Sequence, residues 1–304
     1  MQATSFSAAV AFEHRSAMSD QGVCAPWLGH ILPWFQPWLQ MPIHQALVIS
    51  VAGWACVLVI IWALPFLSLE FKQQGADRLM SVVHSVLATI LGVLAEVCAT
   101  PACIEGDSWV RGPMMMIIGY LAVDLASMLV CDVWQGWRSV DSSMVLHHVF
   151  ILAMFGLGVF FDIGVYFAAA LLINEASTPF MTLMWYLTFS GRKETPLFLV
   201  NGVAFALVFF LCRIVFIPFS FYQFASLNFC SPGGSDWTSM RMRCAPIMAA
   251  GYAAIFALNL MWFKKILMGA LKKLLQRSDA LFSHDDQQLL EDGENGEDED
   301  SCHS

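Results

Sequence analysis

"LLINEASTPF", residues 171–180, lies inside an apolar run that extends from Ile163 to Phe189. An uncharged stretch of about 18 residues or more is long enough to cross a bilayer as a helix. Asn174 and Glu175 sit side by side near its middle, and Pro179 follows one turn later. Proline offers no N–H to the carbonyl four residues back, and its ring pushes that carbonyl aside. The Glu175 carbonyl is therefore expected to be a free acceptor beside the carboxyl group. Such a break is tolerated at membrane depth only where it is buried in protein or lines a cavity. The segment reads as a membrane helix with one wet face turned inward.

The whole chain has the same character. Its 304 residues are 58% hydrophobic and 13% charged, with a mean hydropathy of +0.64. A soluble domain carries about a quarter charged residues. Seven spans are expected, at about 45–67, 79–98, 114–134, 144–161, 163–189, 197–222 and 245–268, giving an all-α polytopic transmembrane bundle. The net charge of −9 is localised: ten of the 24 acids lie from Asp279 onward, where Lys and Arg are absent. The acidic stretch "EDGENGEDED" (291–300) is expected to be a solvated tail. Residues 26–42, with Trp27, Trp34 and Trp38 between prolines, suit the headgroup layer, and no cleaved signal peptide is expected.

Four regions follow: an interfacial segment 1–44, a first span with its loop at 45–77, a helical domain at 78–275 and an acidic tail at 276–304. Lys72, Arg78, Arg138, Arg192, Lys193, Lys264, Lys265, Lys272, Lys273 and Arg277 collect on one side of this topology. The excess of basic residues puts that side in the cytosol, with the N-terminus non-cytosolic and the C-terminus cytosolic. A Cys230–Cys244 bridge is a further expectation for a non-cytosolic loop. The cysteine and histidine spacings give no metal site, and the charge pattern gives no nucleic-acid surface.

Ionisable residues within spans are costly and face the bundle interior. At 1.5 Å rise per residue, His84 lies roughly 8 Å, and His147 and His148 roughly 5 Å, inside the cytosolic face. Asp124, Asn174 and Glu175 come out near the midplane, about 15 Å in. Glu96 and Arg213 fall toward the outer side, where they are expected to pair. Tyr120, Asp124, Ser127 and Cys131 form one stripe on the third span; Asn174, Glu175, Thr178 and Thr182 form an arc on the fifth. Any one of these is more often an interhelical hydrogen-bond partner than a catalyst. Taken together they suggest a shared hollow large enough for a fatty tail. Ser81, Ser85, Ala88 and Gly92 form a small-residue face on the second span, read as close packing.

Five blocks in order and spacing, "GYLAVDL" (119–125), "LHHVF" (146–150), "NEASTPFMTLMWYL" (174–187), "FFLCRIVFIP" (209–218) and "ALNLMWFKKI" (257–266), resemble the TLC-domain family. Within it, the "STPF" block before a tryptophan is similar to the group called TLC domain-containing protein 4, or transmembrane protein 56. Met184 is a departure, standing where relatives often place arginine. The family takes in the ceramide synthases, whose signature has a His pair, then His-Asp, then another Asp three residues on. This chain has His147–His148, then Asn174–Glu175, then Thr178.

The resemblance implies a protein that handles a membrane lipid or acyl chain within its bundle and contributes to lipid homeostasis. The cavity lining would then comprise His84, Tyr120, Asp124, Ser127, Asn174, Thr178, Thr182 and Arg213. An alternative is an N-acyltransferase using acyl-CoA as co-substrate, with His147, His148 and Glu175 as its catalytic residues. A third reading is a non-catalytic adaptor or cargo escort. A di-iron hydroxylase would need many more histidines. The resemblance also implies the endoplasmic reticulum, with the plasma membrane or another secretory membrane as alternatives. It implies no resident cofactor, and leaves a homo-oligomer open.

Overall fold

The computed structural model describes residues 41–98, 108–134, 142–161, 164–226 and 246–273. These residues are almost entirely helical, with no strand among them. Seven helices are long and apolar enough to span a membrane: Ile43–Ala63, Leu69–Val97, Val110–Val130, Ser142–Phe160, Val165–Phe189, Pro196–Ser226 and Pro246–Lys273. They are numbered spans one to seven. Their outer faces carry exposed Val48, Val59, Leu146, Val200 and Leu207, the surface that lipid covers. The interfacial tryptophans before residue 41, Cys103, Cys230, Cys244 and the acidic tail lie outside the described residues.

Span boundaries shift the expected depths. Span two begins at Leu69, ten residues ahead of the expected 79, so His84 stands halfway along the helix. The third helix begins at Ser108 rather than 114 and ends at the expected Trp134, which leaves Asp124 nearer its C-terminal end. Span seven continues to Lys273, because the "KKILMGALKK" stretch remains helical past the expected end.

Contacts at the two ends fix how the spans alternate. At one end the Lys273 ammonium donates to Glu194 at 2.7 Å, and Trp185 and Phe189 meet Phe71. At the other end Tyr166 and the Gln223 amide both donate to Glu96, each at 3.1 Å. Turn chemistry sharpens the ends. Gly191 (φ 70°) closes span five, with Arg192 N–H bonding back to Leu187 and Gly191 N–H to Thr188, a glycine-dependent C-terminal cap. Thr195 then caps span six by accepting from the Phe198 N–H, with Pro196 at the first helical position.

Two segments depart from the α-helix. Leu171–Ser177 in span five is a 3-10 helix, and Phe210–Val215 in span six is a π-helix. A 3-10 helix advances further per residue and a π-helix less, so each re-aims the side chains beyond it. The two segments pack against one another in the bundle interior.

The small-residue face of span two seats the 3-10 segment. Ser85 and Ala88 are fully buried. A Cβ on Gly92 would come within 2.6 Å of the Ile173 backbone nitrogen and 3.0 Å of the Leu172 carbonyl carbon. Backbone cannot rotate aside as a side chain can. Gly92→Ala is therefore expected to cost about 1–3 kcal/mol by overpacking, read as a lowered melting temperature in detergent. Gly156→Ala, where a Cβ meets nothing within 4 Å, is the matched control and leaves the melting temperature unchanged or raised.

Candidate functional site: a polar cavity at the bundle core

The 3-10 segment changes which carbonyl Thr178 bonds. In an α-helix Thr178 N–H would bond Asn174; here it bonds Glu175, one residue later. The expected free acceptor at Glu175 is therefore not found, and the Asn174 carbonyl is the one that side chains reach. Arg213 takes it: its Nε donates to the Asn174 carbonyl at 3.1 Å and to Ser177 Oγ at 3.0 Å. Ser177 Oγ in turn donates to the Asn174 carbonyl at 3.1 Å. Residues three apart eclipse in a 3-10 helix, and Thr178 accordingly donates to Glu175 Oε2 at 2.7 Å.

Arg213 is 7% exposed, and the π-helix turns it into the bundle. Its remaining donors meet Asn259 Oδ1 at 3.3 Å and Glu175 Oε1 at 3.6 Å. Asn259, itself buried, is anchored by donating to the Ile255 carbonyl at 2.7 Å. The expected Glu96–Arg213 pair is thus replaced by Glu175–Arg213. Span six runs to Ser226, so Arg213 stands nearer the middle of the bundle, while Glu96 pairs at the span end with Tyr166 and Gln223.

A second polar group lies alongside. His148 Nε2 is 2.8 Å from Asp124 Oδ2, and its Nδ1 is 2.9 Å from the Met144 carbonyl. A carbonyl only accepts, so Nδ1 carries a proton. The pair with Asp124 is neutral overall whichever member holds the proton between them. Tyr120, one turn before Asp124, shares a 2.7 Å hydrogen bond with Ser81 and stacks on His84 at 3.5 Å between ring centroids. Trp54 of span one packs edge-on against both rings and donates to the Met116 carbonyl at 2.9 Å.

Between these groups lies a cavity of about 40 Å³ to which spans two to seven all contribute. Its polar wall is His84, His147, Asn174, Glu175, Arg213 and Asn259; Ile117, Leu121, Ile151, Phe155 and Ile255 are among its apolar residues. Of the expected lining, His84, Asn174 and Arg213 reach the cavity, as do His147 and Glu175. Tyr120, Asp124, Thr178 and His148 stand behind it in the hydrogen-bonded walls. Ser127 and Thr182 are not among its lining residues. At roughly 10–15 Å³ per water this space takes about three water-sized groups, less than a fatty tail needs.

Three lining residues carry a buried polar atom without a hydrogen-bond partner: His84 Nε2, His147 Nδ1 and Asn174 Oδ1. Each such atom costs about 1–3 kcal/mol when left unpaired. All three belong to residues that line the same cavity. Asn259, Ser177, Trp54 and Trp262, which packs edge-on against His147, were missed in the sequence. Asn259 carried the one readable signal, an amide in an apolar span.

Compared with known proteins, residues 74–268 match the family model described as TRAM_LAG1_CLN8, the TLC domain. TLC domain-containing protein 4-A of Xenopus laevis is 34% identical over 70% of this chain and 81% of its own length. The Xenopus tropicalis TLC domain-containing protein 4 gives the same figures. The Homo sapiens protein of that name is 23% identical over 68% of this chain and 78% of its own length. No solved structure matches.

Removing one partner of a buried ion pair strands the other. Arg213→Met is expected to destabilise the bundle by about 3–5 kcal/mol, and Arg213→Met with Glu175→Leu by much less. Denaturant or thermal unfolding in detergent of the two variants beside wild type decides it. Equal losses in both would mean that the carboxylate does not depend on the guanidinium.

Proposed function

The chain belongs to the TLC-domain family of multi-pass membrane proteins, and on that premise we propose that it holds a membrane lipid by its polar end within the bundle. In this reading it contributes to lipid homeostasis in a secretory membrane, the endoplasmic reticulum first among them. The observation that carries the reading is the cavity, whose lining combines Ile, Leu and Phe with polar residues, three of which, His84, His147 and Asn174, each hold an unpaired buried atom. Buried polar atoms are almost always hydrogen-bonded, so a partner that enters from the bilayer would relieve all three. A space of about 40 Å³ admits the polar end alone. The apolar tail would lie between helices toward the lipid-facing surface.

The test is native mass spectrometry of the purified protein. A lipid adduct is expected on wild type and is expected to be lost in Ile151→Trp, which fills the cavity from its apolar wall. An adduct of equal abundance on both would place the lipid elsewhere and overturn the reading.

A second reading, acyl transfer from acyl-CoA to an amine, is favoured by one observation: His148 and Asp124 form a buried pair directly beside His147. General-base work needs an imidazole nitrogen that is free to take a proton. Both nitrogens of His148 already face oxygens, which assigns the base to His147, with Glu175 across the cavity and His148–Asp124 as the support behind it. Sphingolipid profiling of expressing membranes decides between the readings. Ceramide that rises with wild type and disappears in both His147→Ala and His148→Ala supports transfer; unchanged ceramide with altered phospholipid leaves lipid holding alone.

The basic residues clustered around the Lys273–Glu194 end support a cytosolic location for that end. A C-terminal tag is accordingly expected to be digested by protease added to sealed endoplasmic-reticulum vesicles; protection would invert the topology.

A further inference from the structure

Resting on the lipid-holding reading, the cavity's walls also select the chemical class of what enters. We infer that the site takes a lipid with a small, uncharged polar end bearing hydroxyl or carbonyl groups, in preference to phosphate-bearing, carboxylate or cationic lipids.

Three features of the wall carry this. The first is charge balance. The Arg213 guanidinium faces the Glu175 carboxylate, and its other donors are held by Asn174, Ser177 and Asn259. Glu175 also accepts from Thr178. Behind them, His148 and Asp124 form a pair that is neutral overall. The wall therefore has no surplus charge to offer. A phosphate, a carboxylate or an ammonium would bring an uncompensated charge into a bundle core, the most costly state for a buried ligand.

The second feature is the chemistry of the unpaired atoms. His84 Nε2, His147 Nδ1 and Asn174 Oδ1 are the atoms in want of partners. An imidazole in either tautomer, or an amide in either flip, presents a neutral donor or acceptor. A hydroxyl both donates and accepts and a carbonyl accepts, so a head with these groups can satisfy all three without charge. His84 cannot turn away, because it is stacked between Tyr120 and the edge of Trp54.

The third is size. Space for about three water-sized groups fits a short glycerol, hydroxy-amide or alcohol end; a phosphodiester with its attached choline or ethanolamine is larger than that. The apolar residues Leu121, Ile151 and Phe155 then meet the first carbons of the tail.

The experiment uses the full-length protein in nanodiscs and a matched set of single-chain probes with a photoreactive diazirine near the head. The heads are a monoacylglycerol, a free fatty acid, a lysophosphatidic acid and an alkylamine. Cross-linked peptides are mapped by mass spectrometry. The monoacylglycerol is expected to label peptides of spans three and four around Leu121 and Ile151 at least about ten-fold above the charged probes, since one buried charge costs more than the roughly 1.4 kcal/mol that a factor of ten represents. Asn174→Leu, which removes one unpaired acceptor, is expected to reduce that labelling about five-fold. Ile151→Trp, which leaves the polar wall intact, is expected to abolish it. Retained melting temperature in detergent is required of each variant.

Cavity labelling by a charged probe as strong as by the neutral one would overturn the assignment of class while leaving lipid holding in place. Absence of cavity labelling by every probe would remove lipid holding itself, and the class with it. Labelling by monoacylglycerol that survives Ile151→Trp would also overturn the assignment, because the head would then sit outside this cavity.

Discussion

One guanidinium inside a membrane bundle organises the rest of the core. Arg213 is buried in the bundle, and a charge in that position persists only if its donors and its countercharge are both supplied. The chain supplies them by breaking helical regularity twice. The 3-10 stretch in span five sets Ser177 Oγ against the Asn174 carbonyl, and the π-helix in span six aims Arg213 at both. The two departures face each other, and Arg213 bridges them through the Asn174 carbonyl and Ser177 Oγ.

The same economy of partners separates the walls from the hollow. Arg213, Glu175, Thr178, Asn259, His148 and Asp124 are bonded to one another or to backbone, and so they fix geometry. His84, His147 and Asn174 retain an atom that bonds to nothing. A packed polar core satisfies its members, since a half-satisfied network is less stable than an apolar one. The contrast between bonded wall and unbonded lining is what the proposed lipid-holding site rests on.

Much of this was legible in the residues. Seven apolar stretches gave seven spans, because length and hydropathy are direct consequences of bilayer thickness. Asn174, Glu175, His84, His147 and Arg213 were identifiable as inward-facing, because a polar side chain has no stable alternative there. The partners were harder to read. Depth alone pairs Arg213 with Glu96, and depth depends on helix starts that the structure displaces by several residues. Pro179 signals a break at the correct place, yet the sequence does not say that the helix tightens to 3-10 and keeps the Glu175 carbonyl bonded to the Thr178 N–H. That choice depends on the Gly92 backbone lying against Leu172 and Ile173, a contact between distant segments. The size of the hollow was equally out of reach, since volume follows from side-chain packing and not from which face is polar.

Span one adds a last constraint. It precedes the residues that match the TLC domain, yet Trp54 and Ser50 both donate to the Met116 carbonyl of span three. An α-helical carbonyl can accept a side-chain bond in addition to its backbone one, so span three is pinned without being unwound. Trp54 then reaches across to the stacked pair of Tyr120 and His84. Trp54 is the only one of these three rings supplied from outside the matched region, and it limits how far His84 can swing. The orientation of an unpaired imidazole in the cavity therefore depends on a helix that the family match does not include. In physical terms the site extends one span beyond the domain that contains it.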